Sequence, residues 1–324
     1  MKLTRRLFQV PALLLALAGL SAPALAADAP VLRILVGFPP GGATDVVARV
    51  LADKIQSQLK QPVIVDNKPG AGGMIATQQL KAAAPDGTTV MLTIDHSHVI
   101  VPLTFKAPGY NPLTDFTPLA GVASYYNVMA LSSSIGVKTA PEFSAWLKAH
   151  PGQANYGIPA VGSVPQFAGI LVGKALGTPM TAVPYKGGAP LVTDLLGGQV
   201  PAGFLSLTES IEHHRAGKMQ ILAVSGTTRA KAAPEVPTFQ ELGINGIDQN
   251  PWLAFFGPQG MKPDFVAKFS AAVQQALADP EVVEKLSKLG NVPTYATPAQ
   301  LQEWVQKASS HWGAVIKESG YELQ

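Results

Sequence analysis

Asp95-His96-Ser97-His98 is the most polar strand end in the sequence, and three kinds of chemistry are open to it. The first is metal binding. In an extended segment alternate residues share a side, so His96 and His98 would form a His-x-His pair. A closed zinc site takes four ligands, and a catalytic one usually takes three from the protein. The chain has no Cys, and His150, His213, His214 and His311 stand in no evident relation to the pair, so no metal is assigned. The second is nucleophilic catalysis by Ser97 or Ser163 with His96. Ala160-Val-Gly-Ser-Val-Pro165 lacks the second glycine of a Gly-x-Ser-x-Gly elbow, and no triad partner is identifiable. The third is recognition, with Asp95 at the site and His96 or Ser97 donating to a ligand carboxylate.

Two glycine-rich turns supply a matching device. Phe38-Pro-Pro-Gly-Gly-Ala-Thr-Asp45 follows an apolar run of strand length, 31–36. It precedes a segment where Val46, Val47, Val50, Leu51, Ile55 and Leu59 recur at helical spacing. Gly41 and Gly42 permit positive φ and close approach of a ligand to the backbone, while Pro39 and Pro40 stiffen the approach. Thr44 or Asp45 can cap the helix. Free N–H groups and the positive dipole end of a helix favour an anion. Asp66-Asn-Lys-Pro-Gly-Ala-Gly-Gly73 repeats the arrangement before a second helix opening at Met74. Neither turn has the Gly-Lys-Ser/Thr of a phosphate loop or the full Gly-x-Gly-x-x-Gly of a dinucleotide site, and no cofactor is assigned.

The elements that must position these residues alternate strand and helix. Strands at 31–36, 62–65 and 88–94, with helices between, imply a parallel sheet with right-handed crossovers. Its turns at 39–45, 69–75 and 93–98 should converge outside the carboxyl ends of the strands. After a Pro-rich loop at 104–118, the apolar run 119–131 reads as a crossing into a second domain. There, strands at 154–157, 181–185, 200–207 and 220–225 alternate with helices at 141–149, 167–176 and 191–196. Trp252–Gly257 reads as the return crossing, followed by helices at 262–279, 281–289 and 298–318. The fold class is α/β: two domains, each a mostly parallel sheet flanked by helices, with two hinge crossings. Domain 1 spans 27–124 and 253–324, and domain 2 spans 125–252. Such a pair closes on a ligand by hinge motion.

Residues 1–26 have the form of an export signal. Lys2, Arg5 and Arg6 precede an apolar stretch from Val10 to Leu20, and Ala24-Leu-Ala26 is a small-x-small cleavage site. Thr4-Arg5-Arg6-Leu7-Phe8 also approaches a twin-arginine signal. Cleavage would remove three of the 24 Lys and Arg and none of the 21 Asp and Glu, so the net charge falls from +3 to zero. Such a balance gives no reason to expect a nucleic-acid partner. No later stretch has the roughly 18–20 apolar residues of a membrane span, so stable membrane insertion is not expected. An exported chain of this length without cysteine suits the bacterial periplasm.

The ordered motifs resemble the Bug family, the substrate-binding proteins of tripartite tricarboxylate transporters. The resemblance rests on Arg33–Arg49, Asn67–Gly73, Ala84–Thr89, Tyr156-Gly157 with Gly162-Ser163, and Val183–Gly188 with Asp194–Val200. Pro234–Thr238 with Glu241-Leu-Gly243 and Trp312-Gly313 extend it over essentially the whole mature chain. It implies a monomeric periplasmic receptor of the type II binding-protein fold, delivering a small organic carboxylate to membrane permease subunits. It also implies that backbone N–H groups of the two turns hold the carboxylate. Gly41, Gly42, Thr44, Asp45, Gly73, Met74, His96, Ser97, Gly162 and Ser163 carry over as ligand-binding positions. Phe38 and Phe204 are core residues or a platform for an aromatic ligand, and Ser206 ends the run Pro201-Ala-Gly-Phe-Leu-Ser206. Many relatives have an acid soon after Val200; here none comes before Glu209. That leaves Asp45, which as a helix-start residue reads more naturally as structural, to hold a ligand ammonium, and weakly disfavours an amino-acid ligand. A sensor subunit for a membrane kinase and a Ser/His hydrolase remain as other readings.

Overall fold

The computed structural model describes residues 30–324; the export-signal reading of 1–26 lies outside them. Strand, turn and helix alternate as the spacing predicts. β1 (Leu32–Val36) leads to α1 (Ala43–Leu59), β2 (Val63–Asn67) to α2 (Met74–Lys81), and β3 (Thr89–Ile94) to a π-helical turn, His96–Ile100. That turn runs into the single-turn helix α3 (Val101–Thr104). The apolar run at 119–131 is two strands rather than one. β4 (Phe116–Ser124) and β5 (Asn127–Ser132) are separated by Tyr125-Tyr126, where the chain passes from one sheet to the other.

The second unit continues with α4 (Ala140–Ala149), β6 (Asn155–Ile158), α5 (Val164–Ala175), β7 (Thr181–Pro184), α6 (Gly188–Leu196), β8 (Ala202–Ser206), α7 (Leu207–Arg215) and β9 (Met219–Val224). The chain returns through β10 (Trp252–Pro258) and ends with α8 (Pro263–Ala278), α9 (Pro280–Lys288), β11 (Val292–Ala296) and α10 (Pro298–Glu318). Three of these elements escape the apolar pattern: the π-helical turn with α3, the polar helix α7, and the short β11. The start of α7 has a local signature, because Ser206 and Glu209 form a reciprocal capping box.

The first sheet has the order β11-β4-β10-β3-β1-β2 and the second β7-β6-β8-β5-β9. β1, β2, β3 and β4 share one direction, opposed by β10 and β11. In the second sheet β5 alone is opposed to the other four. Both reversals have one cause: a strand arriving through a crossing enters the sheet without a crossover helix, so it pairs antiparallel. Each sheet is buried on both faces. α1, α8 and α9 cover one face of the first sheet, and α2, α3 and α10 the other.

The crossings lie side by side. Tyr125 N–H donates to the Pro251 carbonyl at 3.1 Å, and the Ser225 hydroxyl links Asn127 N–H (3.0 Å) to Asn250 Oδ1 (2.7 Å). A second contact joins the units away from the crossings. Phe167 of α5 meets Tyr321 edge-on at 5.3 Å, and His311 of α10 lies 2.9 Å from the Gly246 carbonyl.

Within the second unit, α5 packs directly on the Tyr156 ring through Gly169. A Cβ at that position would lie 2.0 Å from the ring. The Tyr156 hydroxyl is fixed by its bond to the Gln166 carbonyl at 2.6 Å, so the ring has no free route of retreat. Gly169→Ala is expected to cost about 1–3 kcal/mol by overpacking. Chemical denaturation reads this as a lower midpoint with an unchanged slope.

Candidate functional site

Two adjoining cavities lie between the sheets, sharing Tyr125, Ser206 and Glu209. The inner cavity, about 230 Å³, has its floor at the end of β3 (Asp95, His96) and its opposite wall at the start of α5 (Ser163) and the end of β8 (Phe204, Ser206). The outer cavity, about 510 Å³, opens onto the start of α1 at Gly41, Ala43 and Thr44, with Lys288 and Asn291 on its far side. Here the turns after β1 and β3 reach a common cleft at the carboxyl edge of the sheet, whereas the expected third turn, 69–75, packs against His96 and Ser97 and lines neither cavity.

The first turn is held from beneath by Asp45. Its buried carboxylate accepts Gly41 N–H at 2.8 Å, Arg49 Nε at 3.0 Å and the Asn67 amide at 2.9 Å. Burial would raise this carboxyl, but the bonds from Arg49, Gly41 and Asn67 outweigh it and hold the group below its usual value. The same Asn67 amide donates to the Phe38 carbonyl at 3.0 Å, which ties the first turn to the end of β2. Neither Thr44 nor Asp45 is the cap; α1 begins from Gly42 in extended conformation, with no side-chain cap. The N–H groups of Ala43, Thr44 and Asp45 thus have no acceptor within the helix, as at any helix start.

The second turn is packed backbone on backbone. A Cβ on Gly37 would lie 2.7 Å from Gly73 Cα, and one on Gly73 (φ +93°) would lie 2.3 Å from Ser97 Oγ. Ser97 donates to the Gly72 carbonyl at 2.6 Å and is fully buried, so it braces the turn. The Ser163 hydroxyl donates to the Ala160 carbonyl at 2.6 Å. Both hydroxyl protons therefore go to backbone carbonyls, which is not the arrangement of a nucleophile with its base.

The π-helical turn sends its two imidazoles to different places. His96 lines the inner cavity, whereas His98 is buried and stacked on Phe256 with centroids 3.8 Å apart. The extended His-x-His geometry is therefore not realised, because the strand ends at Ile94 and the backbone is helical from Asp95 onward. Burial pushes the His96 ring down to about 4 and the His98 ring down to about 3, where the Pro112 carbonyl is the one opposing influence. Asp95 moves the other way. Burial pushes it up to about 7 against the pull of backbone N–H groups at His96, Asp95 itself and Trp252.

Of the positions singled out in the sequence, Gly41 and Thr44 line the outer cavity. Asp95, His96, Ser163 and Phe204 line the inner one, and Ser206 lines both. Phe204 reaches the cavity from the core, where it stacks with Phe239 and meets Tyr156 edge-on. Phe38, Gly42, Asp45, Gly73, Met74 and Ser97 stand behind the cleft and line neither cavity. Gly162 belongs to the contact between the units, where a Cβ would lie 2.9 Å from the Tyr321 hydroxyl. Sequence reasoning missed Tyr125, Asn127 and Glu209 as cavity residues. It also found no acid but Asp45 for a ligand ammonium, and the structure corrects this: Asp95 and Glu209 both line the inner cavity. The capping signature of α7 carried the missing signal, because it fixes Glu209 at the end of β8.

A family model described as the tripartite tricarboxylate transporter family receptor matches residues 47–321. Protein BugT of Bordetella pertussis is 34% identical over 322 residues, covering 98% of this chain and 99% of the relative. Among solved structures, the periplasmic binding protein BugD is 31% identical, covers 91% of this chain and 99% of its own, and superposes with a TM-score of 0.76. MatC from Rhodopseudomonas palustris, with bound malate, is 29% identical, covers 89% and 99%, and has a TM-score of 0.74. These matches are to solute-binding proteins and not to enzymes.

The buried histidines make stability depend on pH. Unfolded imidazoles take up protons below about 6.5, the folded ones only near 4 and 3. Their contribution is complete above 6.5 and is lost as the pH falls through that window. Asp95 opposes this, since its folded carboxyl keeps a proton up to about 7 and its burial costs stability as the pH rises from 4. For His98 alone the loss at pH 5 is about 2 kcal/mol. His98→Phe is expected to remove that part of the acid sensitivity, measured by urea denaturation at pH 7.5 and pH 5.

Proposed function

The chain belongs to the tripartite tricarboxylate transporter receptor family, and from that premise we propose that it captures a small organic carboxylate between its two α/β units and passes it to a membrane permease. Export through removal of residues 1–26 would place it in the periplasm, where the family's receptors work. Among the described residues no helix is long and apolar enough to cross a membrane.

The observation that carries the reading is the cleft itself, with α1 beginning on its wall at Gly41, Ala43 and Thr44. A 17-residue helix starting there presents free N–H groups and the positive end of its dipole to an anion. Bonds from N–H groups to a carboxylate are charge-assisted and shorter than neutral ones. Several of them, shielded from water when the units close, support micromolar binding, about −8 kcal/mol. MatC, of the same architecture, holds malate. The crossings at Tyr125-Tyr126 and before Trp252 are the places where closure would turn.

A ligand at about 100 times its Kd adds about 2.7 kcal/mol of stability, so a thermal-shift screen reports binding without assuming a reaction. The purified protein is expected to be stabilised by small carboxylates and not by neutral sugars. Stabilisation by sugars alone would overturn the reading. Asp45→Ala is expected to weaken carboxylate binding about tenfold in calorimetry, although Asp45 lies behind the loop, because Gly41 N–H and the Asn67 amide lose their common acceptor.

A further inference from the structure

The inner cavity is mostly apolar, and its two carboxyl groups are those of Asp95 and Glu209. Asp95 is only 6% exposed and, among the described residues, has no Lys or Arg within ion-pair distance. His96 Nδ1 has no hydrogen-bond partner but is sealed from solvent, and Nε2 lies beside Gly72, so the ring edge gives the cavity no charge. The hydroxyls of Ser163 and Ser206 give their protons to the Ala160 carbonyl and to Glu209 Oε2, each at 2.6 Å, and so turn lone pairs outward. Glu209 has Oε2 held by Ser206, which leaves Oε1 against Gly188. Tyr125, Asn127, the neutral His96 ring and protonated Asp95 have a proton to offer, but no Lys or Arg lines this cavity.

A cleft that takes an anion at one end and presents one buried and one exposed carboxyl group at the other lacks a cation. We propose that the ligand is a zwitterion, a carboxylate that also carries a protonated nitrogen, with the nitrogen seated between Asp95 and Glu209. This rests on the receptor reading above and narrows its ligand class. A dicarboxylate would set its second charge against Asp95 and Glu209 and would have to bring a proton with it. An ammonium supplies the missing partner and satisfies several acceptors at once.

The two ligand classes move protons in opposite directions. In the empty cleft Asp95 titrates near 7. An arriving ammonium favours its ionised form and releases a proton, whereas an arriving carboxylate takes one up. The other titratable groups facing Asp95 are His96 on its own turn, Tyr125 from the crossing and Glu209 from α7. Lys288 stands across the outer cavity and is paired with Glu284 at 2.6 Å.

The test is calorimetry at pH 7 in two buffers of different ionisation enthalpy, on protein freed of bound ligand by unfolding and refolding. The probes are glutamate and the pairs glutarate with 4-aminobutyrate and succinate with β-alanine. At least one amino-carboxylate is expected to bind tenfold or more tightly than the dicarboxylates, with net proton release. Asp95→Asn should shrink that preference tenfold or more. Glu209→Gln should shrink it too, which gives a second reading if the first variant folds poorly. Dicarboxylates binding as tightly, or any tight ligand binding with proton uptake, would overturn the proposal and leave the receptor reading intact. No binding by any member of either class would remove both.

Discussion

The cleft depends on one buried carboxylate. Asp45 binds Gly41 N–H, Arg49 and Asn67 together, and those bonds repay the desolvation that burial imposes on the charge. A buried charge is tolerated when it is both paired and hydrogen-bonded. Here the pairing also fixes the geometry of a turn. With Gly41 N–H drawn inward, the chain leaves Gly42 extended and α1 starts with its free N–H groups at the cavity wall. Asn67 carries the constraint on to the end of β2, from which the second turn departs.

The second turn is built by the absence of side chains. Gly37 lies so close to Gly73 that it tolerates no Cβ, and a Cβ on Gly73 would run into Ser97. The Ser97 hydroxyl then closes over the Gly72 carbonyl. Several residues that look functional in the sequence thereby acquire structural duties. Their chemistry is consumed in shaping the cleft, and the surface facing the cleft is left to Asp95, His96, Ser163, Ser206 and Glu209.

The crossings explain the topology and place the cleft. Each brings its strand into a sheet without a crossover helix, which makes β5 and β10 antiparallel to their neighbours in the order. They are bonded to each other through Tyr125, Ser225 and Asn250. The two segments are therefore tied side by side, and the cavities lie directly beside them.

Much of this was legible in the sequence. Apolar spacing and the glycine and proline turns marked most strands and helices to within a few residues, because those preferences act between neighbours in the chain. The two apolar crossings marked the two-unit architecture, and the family motifs agree with it. The π-helical turn at Asp95–Ile100 was not legible, since a polar run after a strand reads equally well as extended. Nor was the role of Asp45, Ser97 or Glu209. Each is a hydrogen-bonding residue whose partner is chosen by competition among groups brought together only by folding. The sequence by itself determined the alternation of elements, the glycine turns and the supply of polar residues at the strand ends. Only the tertiary structure decided which polar groups were used up in holding the turns and which were left facing the cleft, because that division depends on contacts between segments distant in the chain.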